Sequence, residues 1–355
     1  MTATNKLVFG LDTFGDVPDD PANDLPVSYS VALKQIIKEA KLADDIGIDV
    51  IALGEHHRPE YAISSPDTDT MLAAIATITK NIKLSTGVTV LSSDDPVRVY
   101  ERFATLDNIS DGRAQIMLGR GSFTESFPLF GYNLENYDAL FEEKMALFNK
   151  LRDGGALDWS GKFTQTLEKQ KIYPKISGHK LDTYVGVGGT PDSIIRAAYY
   201  GFPVILAIIG GAPERFKPYV DLYQRAAAQF NQPQHPLGMH SHGVIADTDD
   251  EAYNIAWKYL RRSMDRIGSD RGWVPMDKKR FDFEVKKGSY YVGTPEHVAH
   301  KIADKMTKVG VKRFDFIYGA GGQYAFQREK SIELYGTKVV PLVKDLIKSG
   351  EYSYE

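Results

Sequence analysis

A chain of 355 residues is long for one ordinary core and fits either two modest domains or one α/β barrel. Its 43 Lys and Arg against 47 Asp and Glu leave a formal charge of −4 with no basic stripe, which argues against nucleic acid and for a small neutral or mildly charged ligand. With no cysteine, disulfides, thiolate metal sites and a cysteine nucleophile are excluded together.

The opening MTATNKLVFG has only a short apolar segment before Gly10 and Asp12, and no run of 18 apolar residues follows, so a cytoplasmic protein without a membrane span is expected. Short runs rich in Val, Ile and Leu at 7–11, 49–53, 82–91, 114–119, 183–188, 203–209, 240–247 and 313–319 read as strands. Between them lie segments of helical period. The first carries Val31, Leu33, Ile36, Ile37, Ala40, Leu42 and Ala43 on one broad stripe and stops at Gly47. Similar helices are expected near 68–80, 96–110, 137–152, 191–200, 213–230, 249–267, 295–309 and 327–348, several opened by proline, whose fixed φ suits the first turn. About eight βα pairs with no dividing linker predict a (β/α)8 barrel of the TIM type, one domain over 1–355. Two segments exceed ordinary loop length, 154–182 and 268–293. They are expected at the carboxyl-terminal face as lids or dimer contacts, with plain surface elaboration as the alternative.

The stretch GEHHRPEY follows the second strand, which places Glu55, His56, His57 and Arg58 at the face where barrel enzymes work. A histidine there can hold or move a proton near neutrality, since its ordinary pKa is about 6.5. Neighbours on an extended segment point opposite ways, so one imidazole is expected to face the cavity and the other to hold the loop. In STGVTVLSSDDPVR, Gly87 interrupts a β-branched strand, as a bulge, a packing contact or a close approach to a ligand would require. MLGRGS places Arg120 at the fourth strand's end, where it can fork onto a phosphate or carboxylate or form an ordinary ion pair. In GVGGTPDSIIRAA, Gly188 and Gly189 lead to Thr190 as N-cap, Pro191 in the first turn and Ser193 behind it. That turn is a ready anion site, yet VGTPEHVAHKI at 292–302 repeats the pattern and shows that it is also simply a good cap. MHSHG puts His240 and His242 on one strand face, but further ligands at metal-site spacing are lacking, so no metal is expected. The cavity wall is expected to include Asp12, Thr13, Phe14 and Tyr318.

Taken in order, GEHHRPEY, GVTVLSSDDPVR, LDNISDGRAQIMLGRGSFTESFPLFG, VGVGGTPDSIIRAAYYGFPVIL and VGTPEHVAHKI resemble the bacterial-luciferase-like flavin-dependent monooxygenases across most of the chain. The resemblance implies FMN at the carboxyl ends of the barrel strands, a homodimer, a small-molecule substrate and often a separate flavin reductase. By position, His56 matches the histidine near the reactive edge of the flavin and Glu55 its acidic neighbour. Arg120, Gly188, Gly189, Thr190 and Ser193 match the phosphate site, and Gly87-Val88 the non-prolyl cis peptide that supports the flavin ring. The implied chemistry is oxygenation through reduced FMN, O2 and a flavin hydroperoxide. Luciferase itself carries an acidic residue and a serine where Gly189 and Thr190 stand, and its loop after strand seven is longer, which argues against light emission here. Hydride transfer with FMN or a deazaflavin, and non-catalytic flavin binding, are the alternatives.

Overall fold

The computed structural model describes residues 6–63, 67–352 and 354. The strands are β1 (Val8–Thr13), β2 (Val50–Leu53), β3 (Lys83–Thr86), β4 (Gln115–Gly119), β5 (Asp182–Val187), β6 (Val204–Ala207), β7 (Gly238–Ile245) and β8 (Arg313–Tyr318). Every neighbouring pair runs parallel, in the order β3-β2-β1-β8-β7-β6-β5-β4. The two ends meet. Past the cis Gly87-Val88 peptide, the third strand resumes at Thr89–Val90 and pairs with β4 through Thr89↔Leu118 and Val90↔Gly119, and a bridge Leu84↔Ala114 completes the seam.

Alternation along each strand separates two environments. In β8, Phe314, Phe316 and Tyr318 point out into the main apolar core beneath the helices. Arg313 and Asp315 point in, and Arg313 reaches across the barrel to Gln115 Oε1 at 2.7 Å. The helices that bear on the site are α1 (Tyr29–Asp45), α2 (Asp67–Ala76), α3 (Pro96–Ile109), α4 (Tyr137–Leu151), α5 (Pro191–Tyr199), α6 (Lys217–Gln229), α7 (Asp249–Asp270), α8 (Lys278–Lys286) and α9 (Pro295–Val309). No helix among the described residues is long and apolar enough to cross a membrane.

The two long segments part company. Residues 268–293 lie at the carboxyl face as expected, with α8 over a second apolar cluster that includes Val244, Leu260, Phe281 and Tyr290, and with Tyr291–Gly293 pairing the outer half of β7. Residues 154–182 do not. They form a hairpin, Ala156–Trp159 with Leu167–Lys171, and then pack at the amino ends of the strands, where Lys175 O accepts from Asn108 at 3.0 Å, His179 lies 3.2 Å from Asp107 and Lys83 pairs with Asp182 at 2.6 Å. A segment that follows a helix and precedes a strand returns to the amino face of a βα barrel, so it cannot be a lid over the mouth. The carboxyl face instead gains residues 120–136 after β4, including the short helix Ser126–Leu129.

Candidate active site

At the end of β2 the chain remains extended, and its side chains diverge as alternation requires. The buried Glu55 accepts the Val90 N–H through Oε2 at 2.7 Å and lies 3.1 Å from His57 Nε2 through Oε1. It therefore braces the strand just beyond the cis peptide and fixes His57 rather than orienting His56. His56 turns the other way into a box of rings, 4.7 Å from Phe14, 4.7 Å from Tyr61 and 4.9 Å from Phe123. Burial, helped by the guanidiniums of Arg58 and Arg271 and the neighbouring His57 imidazole, pushes its pKa down to about 3, so the ring is neutral at pH 7. Its Nδ1 is buried without a protein partner, which leaves one polar atom facing whatever fills the box. Arg58 closes the rim by pairing with Glu125 and Asp270 and lies over the Phe123 ring at 4.9 Å.

Beneath this box the barrel interior is polar. His240 Nδ1 lies 2.7 Å from Asp12 Oδ2, and both residues are buried. Burial raises the Asp12 carboxyl above its ordinary range against the lowering effect of that hydrogen bond. A Cβ on Gly87 would stand 2.8 Å from each Asp12 carboxylate oxygen, so a larger residue here would have to displace the Asp12 carboxylate from its place beside His240. Val88 in turn projects into space left by two further glycines, since a Cβ at Gly119 or Gly186 would come 2.4 or 2.7 Å from its methyl groups. His242, one alternation above His240, is pushed down to about 3 by burial and by His240, and its Nδ1 has no partner. The metal reading gains nothing: His240 is engaged by Asp12, and among the described residues no three His, Asp or Glu cluster as ligands. Tyr318 is not part of the wall, because its hydroxyl points outward and donates to Glu39 on α1 at 3.0 Å.

The anion turn forms across the mouth. Gly188 leaves open space where a Cβ would sit, and Gly189 turns at φ 110°, a value that side chains other than hydrogen rarely adopt. Arg120, 70 residues earlier, donates to Thr190 Oγ1 at 3.3 Å, and Thr190 donates to Ser193 Oγ at 2.7 Å. Arg120 is steadied from behind by Asp138 at 2.7 Å and by the Tyr137 ring at 5.4 Å. The two Gly-Thr-Pro turns, alike in sequence, differ here. Thr294 caps α9 by accepting the His297 N–H at 3.4 Å, whereas the Thr190 side chain makes no capping bond; the Thr190 carbonyl takes the Ser193 N–H at 3.2 Å, and among the described residues the Thr190 and Asp192 N–H groups have no protein acceptor. A phosphate suits that arrangement: free backbone donors, two hydroxyls and one guanidinium converge beside a glycine that leaves room.

Sequence reasoning located the motif residues and placed Phe14 in the cavity wall, where it stands between His56, His242 and His240, but it missed the rings of Tyr61 and Phe123. The Asp12–His240 pair could have been found by matching inward positions of strands one and seven.

Comparisons with known proteins bear on the family and the fold. A family model described as luciferase-like monooxygenase matches residues 18–313. The alkanal monooxygenase alpha chain of Photorhabdus luminescens is 24% identical over 350 residues, covering 92% of this chain and 96% of the relative. Monooxygenase RslO1 from Streptomyces bottropensis superposes with a TM-score of 0.83 at 25% identity, covering 94% of this chain and 99% of that one. The oxygenating constituent of 3,6-diketocamphane monooxygenase from Pseudomonas putida, solved with FMN, gives 0.73 at 21% identity over 95% and 98% of the two chains. A coenzyme F420 dependent tetrahydromethanopterin reductase from Methanopyrus kandleri gives 0.70 at 20% identity over 95% and 99%. The chain belongs to the luciferase-like monooxygenase family and is an enzyme of the flavin-dependent oxidoreductase kind.

Proposed function

We propose that this enzyme uses reduced FMN and O2 to oxygenate a small organic substrate, as a cytoplasmic homodimer supplied with reduced flavin by a separate reductase. The observation that carries the reading is the convergence of Arg120, Thr190, Ser193 and the uncapped amino end of α5 beside Gly188, which suits the terminal phosphate of FMN. The FMN-bound relative from Pseudomonas putida supports the same cofactor. When bound, the reduced flavin supplies the electrons that activate O2. The protein's own part is to bind, orient and keep dry. Gly87-Val88 and the glycines around it form a shelf at the mouth that would support a flat ring, braced by Glu55 through Val90 N–H. Phe14, Tyr61 and Phe123 surround His56, whose neutral ring can hold or accept one proton at the buried Nδ1. Glu55 acts through the shelf as a positioning residue.

The test is titration with reduced FMN and, separately, with a reduced deazaflavin, followed by admission of air while the absorbance spectrum is recorded. The reading expects tighter binding of reduced FMN and reoxidation kinetics unlike those of free FMN; preference for the deazaflavin would replace oxygenation by hydride transfer. His56→Ala should keep FMN affinity within about twofold while coupled oxygenation drops by about 10² to 10⁴, the range of general acid-base help. Undiminished coupling in that variant would remove His56 from the chemistry.

A further inference from the structure

A chamber of about 450 Å³ opens on the carboxyl face between Gly188, the turn at 209–211 after β6, and the 268–293 segment. Its charged wall contains Arg215, Arg271 and Arg280 against Asp265 and Glu284. Both acids are already matched by protein donors. Glu284 accepts the Gly211 N–H at 2.9 Å and the Ser289 N–H at 3.1 Å. Asp265 accepts from Arg261 and from the Met276 N–H, each at 2.7 Å.

The arginines are not matched. Among the described residues, the Arg280 guanidinium has no hydrogen bond or ion pair, Arg271 has one long bond to Ser122 O at 3.4 Å, and Arg215 has one to Gly210 O at 2.8 Å. All three residues are exposed, and each guanidinium carries five N–H donors in a planar fork, so most of the donors lining this wall face solvent rather than protein acceptors. Contrast Arg58, also at the mouth, which pairs with both Glu125 and Asp270. The same chamber leaves apolar surface uncovered, with Trp273 41% and Val274 79% exposed. Positive donors little used by the protein, beside an open aromatic wall and in a volume within the usual range for small ligands, describe a pocket for an amphiphilic anion. Its direction is also set. Arg271 stacks on Phe123 at 5.3 Å, and Phe123 meets His56 at 4.9 Å, so the chamber adjoins the box around His56.

We propose that this chamber binds the anionic group of a small organic substrate, a carboxylate, sulfonate or phosphate, while its apolar part lies along Trp273 towards Phe123 and His56. Calling the ligand a substrate rests on the oxygenase reading; the binding chemistry does not. A nicotinamide nucleotide presents the same anionic chemistry and is the other source to be distinguished.

Trp273 in the wall serves as the reporter. Flavin-free protein is titrated with phenylacetate, benzenesulfonate, the neutral phenylacetamide and ADP-ribose, and the signal is the fluorescence change that disappears in Trp273→Phe. The expected result is saturable binding of the two monoanions, at least about tenfold tighter than the amide, and about 10- to 100-fold weaker in Arg271→Gln/Arg280→Gln, as loss of charge-assisted hydrogen bonds implies. Equal affinity for acid and amide, or an unchanged affinity in the double variant, overturns the proposal. Preference for phenylacetate over ADP-ribose supports a substrate; the reverse order overturns that assignment. FMN affinity is measured on the same samples: lost FMN binding with intact anion binding would sink the flavin reading alone.

Discussion

His56 and His242 are both neutral at pH 7 because burial makes their ionisation costly, and positive or imidazole neighbours add to it. Each has its ordinary value near 6.5 in the unfolded chain and about 3 in the fold. Between those limits the unfolded chain binds more protons, so these groups make stability fall as pH drops, approaching about 1.4 kcal/mol per pH unit for each. Buried Asp12, Asp16 and Glu39, raised by desolvation, act in the opposite sense, since the fold holds their protons to higher pH than the unfolded chain does. The histidine contribution is therefore read as a difference. Urea midpoints measured from about pH 6 to about pH 4 should fall more steeply for the wild type than for His56→Asn/His242→Asn. Parallel pH profiles would show that the imidazoles are not depressed.

At the scale of elements, the informative comparison is between two strand-to-helix turns with the same Gly-Thr-Pro signature. One uses its threonine hydroxyl as a cap and the other turns that hydroxyl to Ser193 and Arg120. The latter arrangement predicts that Arg120→Ala weakens FMN binding by about 10- to 100-fold, equivalent to about 1.5–3 kcal/mol for a hydrogen bond to a charged group. Stability should barely change, because the protein partners of Arg120 are the exposed Asp138, one hydroxyl and the Tyr137 ring at 5.4 Å. Calorimetric titration decides it: an unaltered FMN affinity removes Arg120 from the phosphate site. Such turns were legible in the sequence because their grammar of glycine, cap and first-turn proline is local. So were the strands, whose β-branched runs are short and closely bounded. The hairpin region at 154–182 was misplaced because composition marks a long insertion without saying which end of the barrel it serves; its place between α4 and β5 does say so. The Asp12–His240 bond joins residues 228 apart and depends on the register of β1, β8 and β7, which no local pattern contains.

For the whole molecule, the mouth is held in shape by a polar floor inside the barrel. Arg313 donates to both carboxylate oxygens of Asp315 at 2.9 Å and to Gln115 Oε1 at 2.7 Å, and lies over the Tyr184 ring at 4.8 Å. One guanidinium thus ties β8 to β4 and β5 across the interior. Glycines make the space, since a Cβ at Gly10 would come 2.2 Å from Asp315 and one at Gly238 2.9 Å from Arg313. Asp315 is the register partner of His240 and lies two residues before Ile317, the partner of Asp12, so the floor directly adjoins the Asp12–His240 pair. Removing one member of a buried ion pair leaves the other uncompensated, a far larger loss than the pair's own net contribution. Arg313→Met should therefore destabilise the fold by about 3–5 kcal/mol in urea denaturation, whereas Arg313→Met/Asp315→Leu, which removes both charges, should recover much of it. The Trp and Tyr signals should report one cooperative loss, because the floor spans strands from both halves of the barrel. A cost below about 1 kcal/mol for Arg313→Met would mean that water enters to solvate Asp315, and that the barrel's closure rests on its outer apolar core alone.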